Sequence, residues 1–387
     1  MFNWGSKSTK EAEIKQAPKP YMNPSEEHEE KLLECVYMKR IRDYEIYDVL
    51  FPMEDGEIGS IHTIETGYEN KEVLVLIHGY GSGAVFYYKL MAELRHTFHI
   101  YSIDMYGLGS SSRPKLKSFD FNHVVSFFVE GLEAWRQKLN LQNFVLMGHS
   151  MGGYISSHWV RLKNPPLKML YLLSPAGFTN KTDEELKKQS GFFMKNVMMP
   201  AYDYVLHQKN ANPFNLILFG KEYFIKKKFQ GKRIGMAEGE AEAAAKYLAS
   251  TLEKDECGEK AVGVLLRFAK YSSYPICQIL SELQATRGLQ YPISVIYGAT
   301  DWMDFNHSIE MNNKLGLHLE IFFVPDCDHQ IILQNPKDLA IKLQGDYTRG
   351  YGTLFEVSLR LLIPSNSRVD SRRAKQDRSQ STSRSLL

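Results

Sequence analysis

The sequence has few cysteines, little net charge and no long apolar run. Four cysteines are spread over 387 residues without a C-x-x-C pair, so neither a zinc site nor a disulfide framework is indicated. A formal net charge of +2 gives no reason to expect nucleic acid as a partner. No run approaches the roughly 18 apolar residues that a membrane-spanning helix needs. The N-terminus also lacks the apolar region of a signal peptide, so we expect a cytoplasmic protein. Since no metal-binding pattern is present, we expect neither a metal nor a cofactor.

Apolar residues make up 43% of the chain, and many of them fall into short runs separated by helical patterns. Continuous apolar runs of this kind are typical of strands that are buried on both faces of a sheet. Their alternation with helical segments predicts an α/β fold with a mostly parallel sheet. The predicted strands lie at 73–77, 98–103, 143–147, 170–173, 292–297 and 320–324.

Changes in composition divide the chain into five segments. We expect a polar, partly disordered leader over 1–45, the first part of the α/β core over 46–180 and the second part over 289–350. Between them, residues 181–288 have a helical pattern rich in Lys, Phe, Met and Tyr, which predicts a helical lid inserted between strands. Residues 351–387 form a basic Ser/Arg-rich tail that is expected to be disordered.

The segment G-H-S-M-G-G at 148–153 directly follows a predicted buried strand and precedes an amphipathic helix. This is the G-x-S-x-G pattern of a nucleophile elbow, in which a tight turn exposes a serine at the end of a strand. Gly148 and Gly152 leave room where strand and helix meet. The pattern predicts Ser150 as a nucleophile, provided that a base and an orienting carboxylate lie near it.

Both partners follow later strands in the order that this fold requires. His329 comes just after the last predicted strand and is the predicted base. Two carboxylates, Asp301 and Asp304, follow the preceding strand. We predict Asp301, the earlier of the two, as the acid, with Asp304 as the alternative, because a small change in loop conformation would exchange them.

An oxyanion hole needs two backbone N–H groups directed at the tetrahedral intermediate. One is predicted at Met151, which follows the nucleophile, and the other at Tyr80, in the glycine-rich loop after the strand at 73–77. His78 and His149 are predicted to be structural, because the chemistry of the elbow requires only one histidine.

With these residues assigned, the chain resembles the α/β-hydrolase superfamily, and within it the α/β-hydrolase domain-containing 4/5 subfamily and its plant and fungal relatives. The motifs that carry the resemblance are H-G-Y-G-S-G at 78–83, D-M-Y-G-L-G-S-S-S-R-P at 104–114 and G-H-S-M-G-G-Y at 148–154. Two segments of the insertion, N-P-F-N-L-I-L-F-G at 212–220 and the basic run at 225–233, are also similar.

The resemblance implies acyl-ester chemistry on lipids and peripheral attachment to membranes or lipid droplets. One branch of the subfamily has lost the serine and acts as a lipase coactivator, whereas Ser150 is present here. The subfamily motif H-x-x-x-x-D is linked to lysophosphatidate acyl transfer. In this chain its histidine is His329, but the position of its aspartate is occupied by Gln334. This difference favours hydrolysis over acyl transfer.

The leading hypothesis is therefore a serine hydrolase that cleaves phospholipid or lysophospholipid esters through an acyl-enzyme. Lys226, Lys227 and Lys228 of the insertion are candidates to face lipid head groups, or they form a solvated basic face. The alternatives are lysophosphatidate acyl transfer, a non-lipid esterase or peptidase on the same fold, and a non-catalytic regulator of another lipase.

Overall fold

The structure is a computed structural model that describes residues 24–36, 43–53, 56–181, 221–254 and 257–351, except 269 and 318, together with residues 15–16, 185 and 204. Most of the predicted leader, the motif at 212–220 and the basic tail after 351 lie outside the described residues.

A single sheet forms the centre of the molecule. Its strands in the described chain are β1 (Lys15–Gln16), β2 (Tyr44–Pro52), β3 (Ile58–Thr66), β4 (Val73–Ile77), β5 (His99–Ile103), β6 (Phe144–His149), β7 (Leu167–Leu173), β8 (Ile293–Gly298) and β9 (Glu320–Val324). They are arranged in the order β1-β2-β3-β5-β4-β6-β7-β8-β9. The first three neighbouring pairs in this order are antiparallel, and the other five, which join strands β4 to β9, are parallel. This arrangement confirms the predicted α/β fold.

Helices cover both faces of this sheet. Those described are α1 (Pro24–Glu34), α2 (Tyr88–Leu94), α3 (Phe121–Lys138), α4 (Met151–Lys163), α5 (Lys221–Gln230), α6 (Glu238–Leu252), α7 (Val262–Leu265), α8 (Ile276–Arg287), α9 (Phe305–Leu315), α10 (Ile331–Gln334) and α11 (Pro336–Arg349). Trp135 and Trp159 are fully buried on one face of the sheet, and Tyr87 and Tyr88 on the other. None of these described helices is long and apolar enough to cross a bilayer.

The parallel register brings the carboxyl ends of six strands, β4 to β9, to one edge of the sheet. Ile77 at the end of β4 pairs with Gly148 near the end of β6, and the ends of β7, β8 and β9 follow in the same register. The loop at 78–83 and the residues after β6, β7, β8 and β9 therefore all lie along this edge. In parallel α/β sheets, this is the edge at which ligands bind.

The N-terminal segment differs from the expected polar leader. Residues 24–34 form helix α1, and Leu32 and Leu33 in this helix are fully buried. Glu29 is also buried, where it accepts a hydrogen bond from His62 at 2.8 Å. Within the leader, which we expect to be partly disordered, this segment is a helix, because one face of its acidic sequence packs against helix α6.

Within the insertion, residues 221–254 and 257–288 except 269 contain helices α5 to α8 and no strand longer than an isolated bridge. This agrees with the predicted helical character of the segment. Helix α5 packs on α6. Both helices reach the core next to the loop after β4, where the ring of Phe86 lies 5.6 Å from that of Phe229 and 5.8 Å from that of Tyr247.

Candidate active site

Ser150 is at the turn between β6 and α4 in a backbone conformation that serine rarely adopts, with φ 54° and ψ −118°. Its N–H donates to the Leu173 carbonyl at 2.9 Å, and its own carbonyl accepts the N–H of Ala176 at 3.1 Å. The turn depends on two glycines: a Cβ on Gly148 would lie 2.5 Å from the Gly152 carbonyl oxygen. A Cβ on Gly152 would lie 2.4 Å from the carbonyl oxygen of His78. The structure therefore has the tight turn that the sequence predicts, with Ser150 in a strained backbone conformation.

His329 lies beside this serine, in the loop after β9. The distance from Ser150 Oγ to His329 Nε2 is 3.1 Å, and that from His329 Nδ1 to Asp301 Oδ1 is 3.2 Å. With Nδ1–H donating to the carboxylate, Nε2 is free to accept the hydrogen of the serine hydroxyl. The structure therefore brings the three predicted residues into the order that nucleophilic catalysis requires.

Asp301 is held in a way that favours its charged form. Burial raises the pKa of this carboxyl, but the hydrogen bond and charge of His329, together with smaller contributions from other neighbours, leave the pKa below its usual value. The backbone N–H of Met303 donates a further hydrogen bond to Oδ1 at 3.0 Å. An ionised carboxylate at this place can fix the imidazole tautomer and stabilise an imidazolium.

Asp304, the alternative acid, faces other partners. Its Oδ2 lies 2.7 Å from Lys181 Nζ and accepts a hydrogen bond from the Tyr271 hydroxyl at 3.4 Å. Its Oδ1 accepts from the His307 N–H at the start of α9, so Asp304 is the N-cap of that helix. Burial raises the pKa of Asp304, but Lys181, with smaller contributions from Lys270 and the His307 N–H, lowers it below its usual value. The carboxylate that lies within hydrogen-bond distance of His329 is that of Asp301.

The loop after β4 approaches Ser150 closely. A Cβ on Gly79 would be only 2.9 Å from Ser150 Cβ. His78 donates from Nδ1 to the Gly79 carbonyl at 2.8 Å and accepts the Met105 N–H on Nε2 at 3.0 Å. Because the Gly79 carbonyl and the Tyr80 N–H belong to one peptide unit, this hydrogen bond also fixes the direction of the predicted oxyanion donor.

Met151, the second predicted donor, is the first residue of α4. The N–H groups in the first turn of a helix have no acceptor within that helix and lie at its positive end. His149, immediately before the serine, is fixed in a structural contact: it donates from Nε2 to the His329 carbonyl at 2.9 Å. Burial, reinforced by the neighbouring His329, lowers the pKa of His149 to about 3, so its imidazole is neutral.

A cavity of about 410 Å³ opens onto the serine and the histidine. The insertion supplies much of its apolar wall, and Phe86 and Leu333 of the core continue it; the contributing side chains of the insertion are Phe224, Ile225, Phe229, Ile234, Leu248 and Leu252. Lys228 is the one cationic side chain among the described residues that line it. Trp302 is also part of the wall, with its ring 5.0 Å from that of His329 and 48% of its surface exposed.

Sequence reasoning did not identify Trp302 or Ser174 as site residues. Trp302 follows Asp301 directly. Its position next to the predicted acid could have indicated that it lies in the site. Ser174 directly follows β7 and is fully buried at the same edge of the sheet. Its position after a predicted strand could have indicated it, but a serine in a turn has many structural roles.

Residues 72–336 match the family model of the alpha/beta hydrolase fold. The chain is 28% identical to a 1-acylglycerol-3-phosphate O-acyltransferase of Arabidopsis thaliana over 278 residues, which are 69% of this chain and 64%, less than two thirds, of that protein. It is 25% identical to the 1-acylglycerol-3-phosphate O-acyltransferase ABHD5 of Sus scrofa over 328 residues, covering 82% of this chain and 88% of that protein. The carboxylesterase CesB of Bacillus subtilis shares the fold with a TM-score of 0.57 and 15% identity, over 85% of this chain and 100% of that one. The protein therefore belongs to the α/β-hydrolase family, and its resemblance to the α/β-hydrolase domain-containing 5 group is confirmed.

Proposed function

We propose that this protein hydrolyses acyl esters of phospholipids or lysophospholipids through an acyl-enzyme on Ser150. The observation that carries the proposal is the hydrogen-bonded series Ser150, His329 and Asp301 at the wall of a largely apolar cavity. A serine hydroxyl is a weak nucleophile unless a base accepts its proton, and here the base lies 3.1 Å away. An apolar wall beside the nucleophile is suited to an acyl chain.

In the proposed reaction, the Ser150 hydroxyl attacks the ester carbonyl carbon while its proton passes to His329 Nε2. The N–H groups of Tyr80 and Met151 stabilise the negative charge that develops on the carbonyl oxygen. The bond from carbon to the leaving alcohol then breaks, and His329 returns the proton to that alcohol. Water then gives a proton to His329 and attacks the acyl carbon; the bond from that carbon to Ser150 Oγ breaks, His329 returns the proton to Oγ, and the fatty acid is released.

The lysines of α5 differ in their suitability for a lipid head group. Lys226 is ion-paired with Glu242 at 3.2 Å, and the Lys227 ammonium lies over the ring of Tyr223 at 5.7 Å. Lys228 lines the cavity and is exposed to solvent. We assign Lys228 as the contact for an anionic head group.

Acyl transfer to a lysophospholipid is the second candidate, because several relatives are named 1-acylglycerol-3-phosphate O-acyltransferases. In that reaction, a lysolipid hydroxyl replaces water as the group that attacks the acyl-enzyme. Gln334 stands where the motif linked to transfer has an aspartate, and its side chain accepts the N–H of Asp328 at 2.7 Å. The chain therefore lacks the carboxylate of the motif that is linked to acyl transfer, and it has a neutral amide that holds the loop instead. For this reason hydrolysis remains the preferred reaction.

The nucleophile is tested by incubating the purified protein and its Ser150→Ala variant with a fluorophosphonate probe. The expected result is covalent labelling of the wild type only. Equal labelling of both proteins would contradict the assignment of Ser150. Labelling of neither would instead favour the non-catalytic regulator.

The substrate class is tested with a panel of phospholipids, lysophospholipids, short-chain esters and peptides. We expect free fatty acid from at least one lipid and faster turnover of lipids than of short-chain esters. A protein that labels but cleaves only short-chain esters or peptides is not a lipid hydrolase. A further assay supplies acyl-CoA together with lysophosphatidate and compares acyl transfer with hydrolysis. If phosphatidate forms faster than free fatty acid, the protein is a transferase instead.

The head-group contact is tested by comparing Lys228→Gln with Lys227→Gln, which removes an equally exposed charge outside the cavity wall. We expect Lys228→Gln to raise KM for anionic lipids by roughly tenfold and to leave KM for zwitterionic lipids unchanged. Equal effects of the two variants would mean that the lysines act only as a general basic surface.

A further inference from the structure

Ser174 lies at the catalytic edge although it has no part in the reaction described above. It directly follows β7, whose last residue Leu173 pairs with Ile296 of β8. The Ser174 N–H donates to the Ile296 carbonyl at 2.7 Å. Asp301 is in the loop after β8, with its own N–H bonded to the Gly298 carbonyl at 3.1 Å. The serine and the predicted acid therefore emerge side by side from neighbouring strands.

Two buried polar atoms at this place have unused hydrogen-bonding capacity. Among the described residues, neither the Ser174 hydroxyl nor Asp301 Oδ2 has a hydrogen-bond partner. His329 and Met303 both donate to the other carboxylate oxygen, Oδ1. A buried donor or acceptor without a partner costs about 1–3 kcal/mol, so a neighbouring pair of this kind favours one shared bond.

The backbone of Ser174 also indicates a specific requirement for its side chain. Its φ is 44°, in the left-handed region that favours glycine. A serine here costs more in backbone strain than a glycine would, and it is fully buried. The strain is explained if the hydroxyl has a task that glycine cannot perform.

We infer that Ser174 is a positioning residue for the catalytic acid, whose hydroxyl donates to Asp301 Oδ2 during the reaction. The inference rests on the proposed function, because it requires Asp301 to act through His329. Because the two atoms are not hydrogen-bonded in the structure, the bond requires a movement of the Ser174 or Asp301 side chain that brings the hydroxyl onto the carboxylate. The bond holds the second oxygen of Asp301, so that the first stays aligned with His329 Nδ1 while the imidazolium forms. The influence of the Ser174 hydroxyl on Asp301, which lowers the pKa of that carboxyl, is consistent with this proximity.

The test uses Ser174→Ala and Ser174→Gly in the full-length protein, with kcat and KM measured on the lipid ester that the wild type cleaves best. Both variants lose the hydroxyl, but only glycine relieves the backbone strain. We expect each to lower kcat by roughly tenfold with KM unchanged, because the bond acts in the transition state. We also expect Ser174→Gly to have a higher thermal midpoint than Ser174→Ala. Full activity in either variant, or a loss confined to the less stable one, would overturn the inference.

A double-mutant cycle separates positioning of the acid from a general structural role. In the Asp301→Asn background, Ser174→Ala should reduce the rate of fluorophosphonate labelling by less than twofold, because its effect passes through the charged acid. A loss as large as in the wild-type background would contradict the inference while leaving the proposed function intact. If Asp301→Asn itself labels at the wild-type rate, the proposed triad fails instead.

Discussion

Ser150 combines a strained backbone with a dense set of contacts that keep it in place. A non-glycine residue at positive φ costs on the order of 1–3 kcal/mol, which the surrounding structure must outweigh. Here the backbone of Leu173 at the end of β7 and that of Ala176 just after it bond the serine, and the glycines of the elbow allow the approach. The result is a hydroxyl that is directed at His329 before any substrate is bound.

The two aspartates after β8 should differ sharply in their effect on turnover. We expect Asp301→Asn to lower kcat by roughly 10³–10⁴-fold, because an amide cannot hold the imidazole tautomer or stabilise the imidazolium. Asp304→Asn should lower kcat by less than about tenfold, since asparagine also caps a helix well. Steady-state kinetics on one substrate checks both variants, with the thermal midpoint as a control for folding. Losses of equal size would contradict the assignment of the acid.

His78 should act through one of its two hydrogen bonds more than through the other. An asparagine at this position keeps a donor near the place of Nδ1, which bonds the Gly79 carbonyl, whereas a glutamine keeps a polar group near the place of Nε2. Because the Gly79 contact orients the Tyr80 N–H, we expect His78→Asn to retain more kcat than His78→Gln. The loss in His78→Gln should approach the roughly 10²-fold effect of losing one oxyanion donor. Equal kcat values for the two variants would argue against this role.

At the scale of elements, helices α5 and α6 of the insertion form part of the cavity wall. Leu248 is 5% exposed and forms part of the cavity wall. A tryptophan at this position would fill space that the proposed function gives to an acyl chain. We expect Leu248→Trp to lower kcat/KM for long-chain esters by roughly tenfold more than for acetate or butyrate esters.

A matched control for this prediction is Ile341→Trp, which adds the same ring to α11 at a position that is 66% exposed. It should leave the preference for chain length unchanged. If Leu248→Trp has the same effect on short and long esters, the cavity is not the acyl-chain site.

The strands of the core were predictable because a parallel sheet buries both of its faces. Most residues of each predicted run are therefore apolar, and the strands β4 to β9 occur where these runs lie. The order of Ser150, Asp301 and His329 followed from the same strands. By contrast, the choice between Asp301 and Asp304 depends on a few dihedral angles in one loop, which residue type does not determine.

Features that depend on distant residues could not be read from local pattern. Helix α1 has an acidic sequence, and its buried Glu29 is tolerated only because His62 lies opposite it, 33 residues away. The cavity wall likewise combines side chains of α5 and α6 with Phe86 of the core. Ser174 gives no sequence signal beyond its place after a strand. The inference about its role depends on its burial and its backbone conformation, which only the structure reveals.

At the scale of the whole molecule, helix α1 connects the sheet with the insertion. It packs against α6, and its Glu29 accepts from His62 Nε2 at 2.8 Å. The same imidazole contacts Asp48 of β2 through Nδ1 at 3.0 Å. Burial opposes protonation of His62, but these two carboxylates, with a smaller contribution from Asp104, raise its pKa well above the ordinary value. The docking of α1 is therefore coupled to the charge of one buried histidine.

A histidine whose pKa is raised on folding stabilises the folded state fully below its unfolded pKa of about 6.5, and this contribution is lost as pH rises through the folded value. We expect the thermal midpoint of the wild type to exceed that of His62→Gln by several degrees near pH 6.5 and by much less at alkaline pH. The double variant Glu29→Gln/His62→Gln, which removes both charges and keeps polar groups of similar shape, should show a weaker pH dependence than the wild type. Parallel midpoint curves for the wild type and His62→Gln from about pH 6 to about pH 10 would show that His62 does not carry this charge. Because α1 contacts α6, which lines the cavity, loss of the pair should also weaken turnover of long-chain esters at alkaline pH.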